Sequence, residues 1–170
     1  IRDIADLQSV VPSLRVSTLQ SAFSTTFSVR GFGTDGNNIG LEPTVAMFAD
    51  GVYRSRAVSQ ISDLPDIQRV EVLRGPQGTL FGRNATSGVV NVVTAKPELG
   101  TFGAAAEFEY GNYNSIKAKG MVNVPLGDTL ALRAAGFYLN RDGFTDNLYD
   151  DSDIDGRDMY AVRGSLRFEP

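Results

Sequence analysis

The sequence predicts a mostly β protein with short helices: a globular first part followed by about four antiparallel strands. Three observations predict it. The chain carries 18 glycines, most of them between short apolar runs, as tight turns between strands require. An Asp50-Gly51 pair sits between two β-rich segments, and both positions of a two-residue hairpin turn need positive φ. Beyond Pro97, four segments alternate apolar and polar residues with a period of two.

Taken in order, Ile1, Ile4, Ala5, Leu7, Val10 and Val11 fall near helical spacing, and Pro12 ends that pattern, so a short helix is expected. Leu14 to Val29 reads as extended and Ser/Thr-rich, closing on Val29-Arg30-Gly31-Phe32-Gly33. The polar run Thr34 to Gly40 is a loop. Thr44 to Ala49 and Val52 to Arg54 flank the Asp50-Gly51 turn as strands. Ala57 to Asp66 carries a helical turn, Ile67 to Leu73 is a strand, and the nearly continuous valines of Val89 to Thr94 read as a buried strand.

The second part begins after Lys96-Pro97. Phe102, Ala104, Ala106, Phe108 and Tyr110 share one face, with Glu107 and Glu109 on the other. Ile116, Ala118, Val122 and Val124 oppose Lys117, Lys119 and Asn123. Leu130, Leu132, Ala134 and Tyr138 share a face. Tyr160, Val162, Leu166 and Phe168 oppose Arg163, Arg167 and Glu169. Such segments suit strands with lipid outside and a wet lumen inside, and they equally suit a soluble sheet with one solvated face. The short links at Gly111-Asn112 and Pro125 to Asp128, against the long acidic link Asn140 to Asp158, favour the barrel, whose turns are short on one side and long on the other.

Composition excludes whole classes of function. With 16 basic and 20 acidic residues the net charge is −4, so no broad basic surface exists for nucleic acid. Histidine and cysteine are absent. That removes zinc sites built on them, disulfides, haem attachment and Cys/His or Ser-His-Asp catalysis. No cofactor is expected. At 170 residues there is room for one domain, or one and part of another. No leader precedes Ile1, so a mature or truncated start is expected.

The segment Asp63-Leu64-Pro65-Asp66-Ile67-Gln68-Arg69-Val70-Glu71-Val72-Leu73-Arg74-Gly75-Pro76-Gln77-Gly78-Thr79-Leu80-Phe81-Gly82 resembles the plug signature of TonB-dependent outer-membrane receptors. Asn84 to Thr94 is similar to that family's plug ending. Val29-Arg30-Gly31-Phe32 and Phe48-Ala49-Asp50-Gly51-Val52-Tyr53 resemble two further plug motifs, in the expected order. The resemblance implies a globular plug domain over residues 1–97. The N-terminal strands of an incomplete transmembrane β-barrel follow over residues 98–170. The TonB box would lie upstream or be lost.

The resemblance also implies site residues. A ligand-facing plug apex would comprise Phe32, Thr34, Asp35, Asn37, Asn38, Tyr53, Arg54 and Arg56, where the alternative is ordinary solvated loop chemistry. Arg30, Glu71 and Arg74 would be plug charges pairing with the inner barrel wall, since a guanidinium holds a carboxylate bidentately. The alternative is that the arginines satisfy carbonyls within the plug. Two local motifs carry less. Asp151, Asp153 and Asp155 copy half a calcium loop, but its twelfth position is Val162 instead of glutamate; a solvated acidic loop is the favoured reading. Gly75 to Gly82 lacks the Lys-Ser/Thr of a phosphate-binding loop.

The expected function is energy-coupled uptake of a scarce nutrient (a ferric siderophore, haem, cobalamin or oligosaccharide) across a bacterial outer membrane, without catalysis. The implied partners are an inner-membrane TonB complex, outer-membrane lipid and a small-molecule or metal-chelate substrate. The rival is a soluble periplasmic or secreted ligand-binding β-module; an enzyme stands third, for want of a catalytic constellation.

Overall fold

The computed structural model describes residues 6–18, 25–34, 42–55, 65–82, 84–147, 149 and 152–170. The chain divides into two compact units, Ile1–Thr94 and Ala95–Pro170.

In the first unit, a short helix α1 (Leu7–Val10) precedes β1 (Leu14–Thr18), β2 (Thr25–Val29) and β3 (Phe32–Gly33), which form an antiparallel sheet in that order. The expected helix is thus seen as one turn, and residues 1–5 lie outside the described residues. A second sheet follows, made of β4 (Val45–Ala49), β5 (Val52–Arg54), β6 (Ile67–Arg74) and β7 (Gly88–Thr94), in the order β5-β4-β7-β6. Asp50 and Gly51 have φ of 49° and 79°, the two positive values that the hairpin turn between β4 and β5 demands. β7 lies parallel to β4 and antiparallel to β6.

The valine run of β7 has a simple cause: this strand is enclosed on both faces along most of its length. Val90 and Val92 join Val45 and Met47 against Val16, Phe27 and Val29 of the first sheet. Val89 faces the other way, with Ala46, Ala85, Phe48, Tyr53, Leu73 and Phe81. A strand covered on both sides tolerates a polar residue only where that residue finds a partner, as Asn91 does in Glu71 and Thr94 in Asp50. Phe81 belongs to α2 (Gly78–Phe81), one turn that the sequence reading does not foresee. The expected helical turn at Ala57 to Asp66 falls almost wholly outside the described residues.

The second unit holds four long strands, β8 (Gly103–Gly111), β9 (Ser115–Pro125), β10 (Leu130–Arg141) and β13 (Arg157–Phe168), paired as an antiparallel meander in the order β13-β10-β9-β8. Their lengths of 9, 11, 12 and 12 residues suit tilted membrane-spanning strands. Between β10 and β13 the acidic link contains a small hairpin, β11 (Thr145–Asn147) with β12 (Ser152–Ile154), where a plain loop is expected. Among the described residues the meander does not close on itself.

This sheet is inside out by the standards of a soluble protein. On β13, Tyr160 and Val162 are 80% and 82% exposed, and Leu166 and Phe168 are each 65% exposed. The opposite face holds the buried residues Asn123, Ala131, Arg133, Ala135 and Phe137. The register puts Phe108, Ala118, Tyr138 and Tyr160 in one row, and Val124, Leu132 and Leu166 in another, with Leu130 beside Phe168 beyond it. Tyr138 and Leu130 stand eight residues apart, about 26 Å at 3.3 Å per residue. An outer-membrane barrel carries an apolar band about 25 Å tall between aromatic girdles.

Candidate functional site

The parallel pairing of β4 with β7 gives the first unit's second sheet two distinct ends. The Asp50-Gly51 turn and Thr94 mark one. There the Asp50 carboxylate accepts the Thr94 amide at 2.8 Å and the Thr94 hydroxyl at 2.7 Å. Thr44, Gly75 and Ser87 mark the other, tied by Ser87 donating to the Thr44 carbonyl at 3.0 Å and Gly75 to that of Ser87 at 3.1 Å.

A polar cluster forms beside this second end. The Thr34 hydroxyl donates to the Glu42 carbonyl at 3.2 Å and accepts the Thr44 amide at 2.9 Å, pinning together the two sides of the loop between them. The Glu42 carboxylate accepts from the Asn84 side-chain amide at 2.6 Å, and that same amide donates to the Tyr53 hydroxyl at 2.8 Å. Asn84 reaches both with φ of 71°, a left-handed conformation that asparagine tolerates. Beneath the cluster, the Phe48 ring lies 5.4 Å from that of Tyr53 and 5.2 Å from that of Phe81. A carboxylate, an amide and a phenol on an aromatic floor can accept and donate hydrogen bonds to a bound molecule and stack against it.

Of the predicted apex residues, the structure brings Thr34 and Tyr53 into this cluster. Arg54 is directed elsewhere: Tyr53 pairs with Phe48 and Arg54 with Met47, so the two side chains leave opposite faces of one strand. Arg54 is half-buried, and its Nε is enclosed with no hydrogen-bond partner among the described residues. Phe32 stands 71% exposed at the edge of the first sheet. Asp35, Asn37, Asn38 and Arg56 lie outside the described residues. Glu42 and Asn84 are the members that sequence reasoning missed. They lie 42 positions apart, and the one signal available was an asparagine next to a glycine-rich turn.

The predicted charge-pairing residues are dispersed. Arg30 has φ of 54° and an exposed side chain, and its amide donates to the Ser13 carbonyl at 2.8 Å. Arg74 is exposed at the end of β6. Glu71 is held within its own sheet, accepting from Arg69 Nε at 2.6 Å and from the Asn91 amide at 2.9 Å. The Arg69 hydrogen bond, then that of Asn91, hold its carboxyl below the ordinary carboxylate value, against partial desolvation. Of the calcium candidates, Asp151 lies outside the described residues, and Asp155 accepts the Thr145 hydroxyl at 3.0 Å. No three acidic side chains converge on a common point among the described residues.

Comparison with known proteins places the chain in a family. A family model for the TonB-dependent Receptor Plug Domain matches residues 1–89. The pesticin receptors of Yersinia enterocolitica and Yersinia pestis are 33% identical over 124 residues, covering 73% of this chain and 18% of theirs. The iron-regulated outer membrane virulence protein of Vibrio cholerae is 29% identical, covering 83% of this chain and 23% of its own. Among solved structures, the ferric yersiniabactin uptake receptor of Yersinia pestis superposes with a TM-score of 0.83 at 28% identity, over 99% of this chain and 26% of that one. The pyoverdine outer membrane receptor of Pseudomonas aeruginosa shares the fold, with a TM-score of 0.77 at 23% identity, over 99% of this chain and 23% of that one. The chain spans about a fifth of the length of the curated relatives it matches.

Proposed function

The chain belongs to the family of TonB-dependent receptors, and on that premise we propose that it supplies the plug and first barrel strands of an outer-membrane receptor importing a ferric siderophore. Residues 1–97 act as the plug and residues 98–170 open the barrel. The exposed apolar face of the second unit carries this reading. Nine-residue to twelve-residue strands with Tyr160, Val162, Leu166 and Phe168 outward have no reason to face water. In lipid they complete a spanning surface, provided that further strands close the sheet edges.

Siderophore, among the nutrients the family imports, is supported by what its relatives are called: an iron-regulated outer membrane protein and a ferric yersiniabactin uptake receptor. The Glu42, Asn84, Tyr53 and Thr34 cluster is the proposed ligand-facing surface of the plug, with Phe32, Asp35, Asn37, Asn38 and Arg56 as further proposed ligand contacts; Arg54 leaves the opposite face of its strand and is not among them. Arg30, Glu71 and Arg74 are proposed contacts of the plug with the barrel wall. For Glu71 this requires exchanging Arg69 for an outside partner. The family's dependence on TonB makes an inner-membrane energy-coupling complex the proposed partner. The protein binds and moves its substrate without making or breaking bonds in it.

Uptake of radioactive iron as a ferric siderophore tests the reading, in source cells with and without the gene and with and without TonB. Loss of uptake in both single mutants supports it. Binding without TonB-dependent uptake would instead mark a ligand-capturing module.

A further inference from the structure

Residues 95–101 join the two units and carry no regular secondary structure, yet they are held tightly to the second unit's own sheet. Asn123 projects from β9 with its side chain enclosed; the residue is 2% exposed. Its Oδ1 accepts the Glu98 amide at 3.0 Å, and its Nδ2 donates to the carbonyls of Glu98 at 2.9 Å and Thr101 at 2.7 Å. Receiving one residue's N–H while donating to its C=O is what a neighbouring strand does, so the Asn123 amide stands in for a strand.

Two arginines of β13 add to the grip. Arg163 donates to the Ala95 carbonyl at 3.1 Å and Arg167 to the Pro97 carbonyl at 3.2 Å. Glu169 steadies the Arg167 guanidinium with bonds of 2.9 and 2.6 Å. Along this path the linker passes from β13 at one edge of the sheet, past β9, to the start of β8 at the other edge. Charge-assisted bonds to carbonyls are stronger than neutral ones, and a buried amide whose partners are removed is left with an unmet desolvation cost.

We infer that residues 95–101 are a fixed tether, clasped by Asn123, Arg163 and Arg167 as positioning residues, so that rearrangement during uptake is confined to residues before Ala95. The clasp itself is a property of the second unit; its consequence for uptake rests on the receptor reading above.

The test is hydrogen exchange on the protein at its native length in outer-membrane vesicles, comparing the unmodified protein with Asn123→Ala and, separately, Arg163→Gln. The peptide spanning residues 96–102 should exchange about tenfold faster in Asn123→Ala, the loss expected for an enclosed multiple hydrogen bond. A peptide from β10 should be unchanged in both variants and so reports that the sheet is intact. Siderophore binding at the surface should persist while uptake falls several-fold. Unchanged exchange in 96–102 overturns the tether. So does faster exchange with full uptake, because a released linker would then serve as well as a clasped one. If the unmodified protein binds and imports nothing, the receptor reading fails while the exchange result still decides the clasp.

Discussion

The Asp50 carboxylate grips Thr94 twice, through the backbone amide and the hydroxyl. Asp50 opens the β4–β5 turn and Thr94 ends β7, so one side chain locks a hairpin tip to the last residue of the first unit. Thr94 is 2% exposed, and removing the acceptor strands its hydroxyl and amide in an enclosed site. Asp50→Ala should therefore cost about 2 kcal/mol, the range for hydrogen bonds to a charged group, read from exchange of the Thr94 amide. Asp50→Asn should cost less, since asparagine tolerates the φ of 49° at this position and keeps one acceptor.

Gly88 starts β7 with no room for a side chain. A Cβ there would come within 2.7 Å of the Leu73 carbonyl and 3.3 Å of Val29 Cγ2. The first contact is with backbone and cannot be relieved by a rotamer change. Gly88→Ala should destabilise the first unit by about 1–3 kcal/mol as an overpacked core position, seen as faster exchange throughout β6 and β7.

Glu71 carries the one prediction about pH. Its carboxyl is held below the ordinary carboxylate value in the folded state, chiefly by Arg69. A depressed folded pKa adds stability that is fully present above the unfolded value and is lost as pH falls through the folded one. The unmodified protein should thus lose stability relative to Glu71→Gln on acidification below about pH 4, with the difference constant from about pH 5 to 7. Parallel denaturation curves at those pH values measure it.

Asn84 holds Glu42 and Tyr53 together through one amide. Asn84→Asp keeps the shape and the positive φ but puts a second carboxylate 2.6 Å from the first, and like charges at that distance repel. If this cluster faces the ligand, siderophore affinity should weaken by about tenfold, roughly 1.4 kcal/mol. Calorimetric titration of the two proteins measures it.

Much of this fold could be read from local sequence because each cue had a local cause. Asp50-Gly51 needed positive φ at two positions, the valines of β7 needed burial on both faces, and the alternation in β8 to β13 needed two unlike surroundings. Alternation alone could not say which face lay open; that emerges only when the register aligns Phe108, Tyr138 and Tyr160 and leaves them exposed. The polar cluster was largely illegible, because Glu42 and Asn84 meet through the crossover between β4 and β7, far apart in sequence. Placing Tyr53 and Arg54 in one patch ignored the period of two that sends neighbours to opposite faces. The grip of Asn123 on Glu98 was hidden too, since a side-chain amide pairing with irregular backbone has no sequence period.

The central claim, that the apolar face of the second unit meets lipid, is tested most directly by spin labels on cysteines introduced singly at positions 160 to 168. These 170 residues contain no cysteine, and any cysteine elsewhere in the receptor is first replaced by serine, so each label reports one site. In outer-membrane vesicles, labels at Tyr160, Val162, Leu166 and Phe168 should collide with membrane-dissolved oxygen and be shielded from a water-soluble nickel chelate. Those at Ala161, Arg163 and Arg167 should not show that lipid signature. Nickel access at Val162 and Leu166 equal to that of a water-exposed loop would contradict the account and leave a soluble sheet in its place.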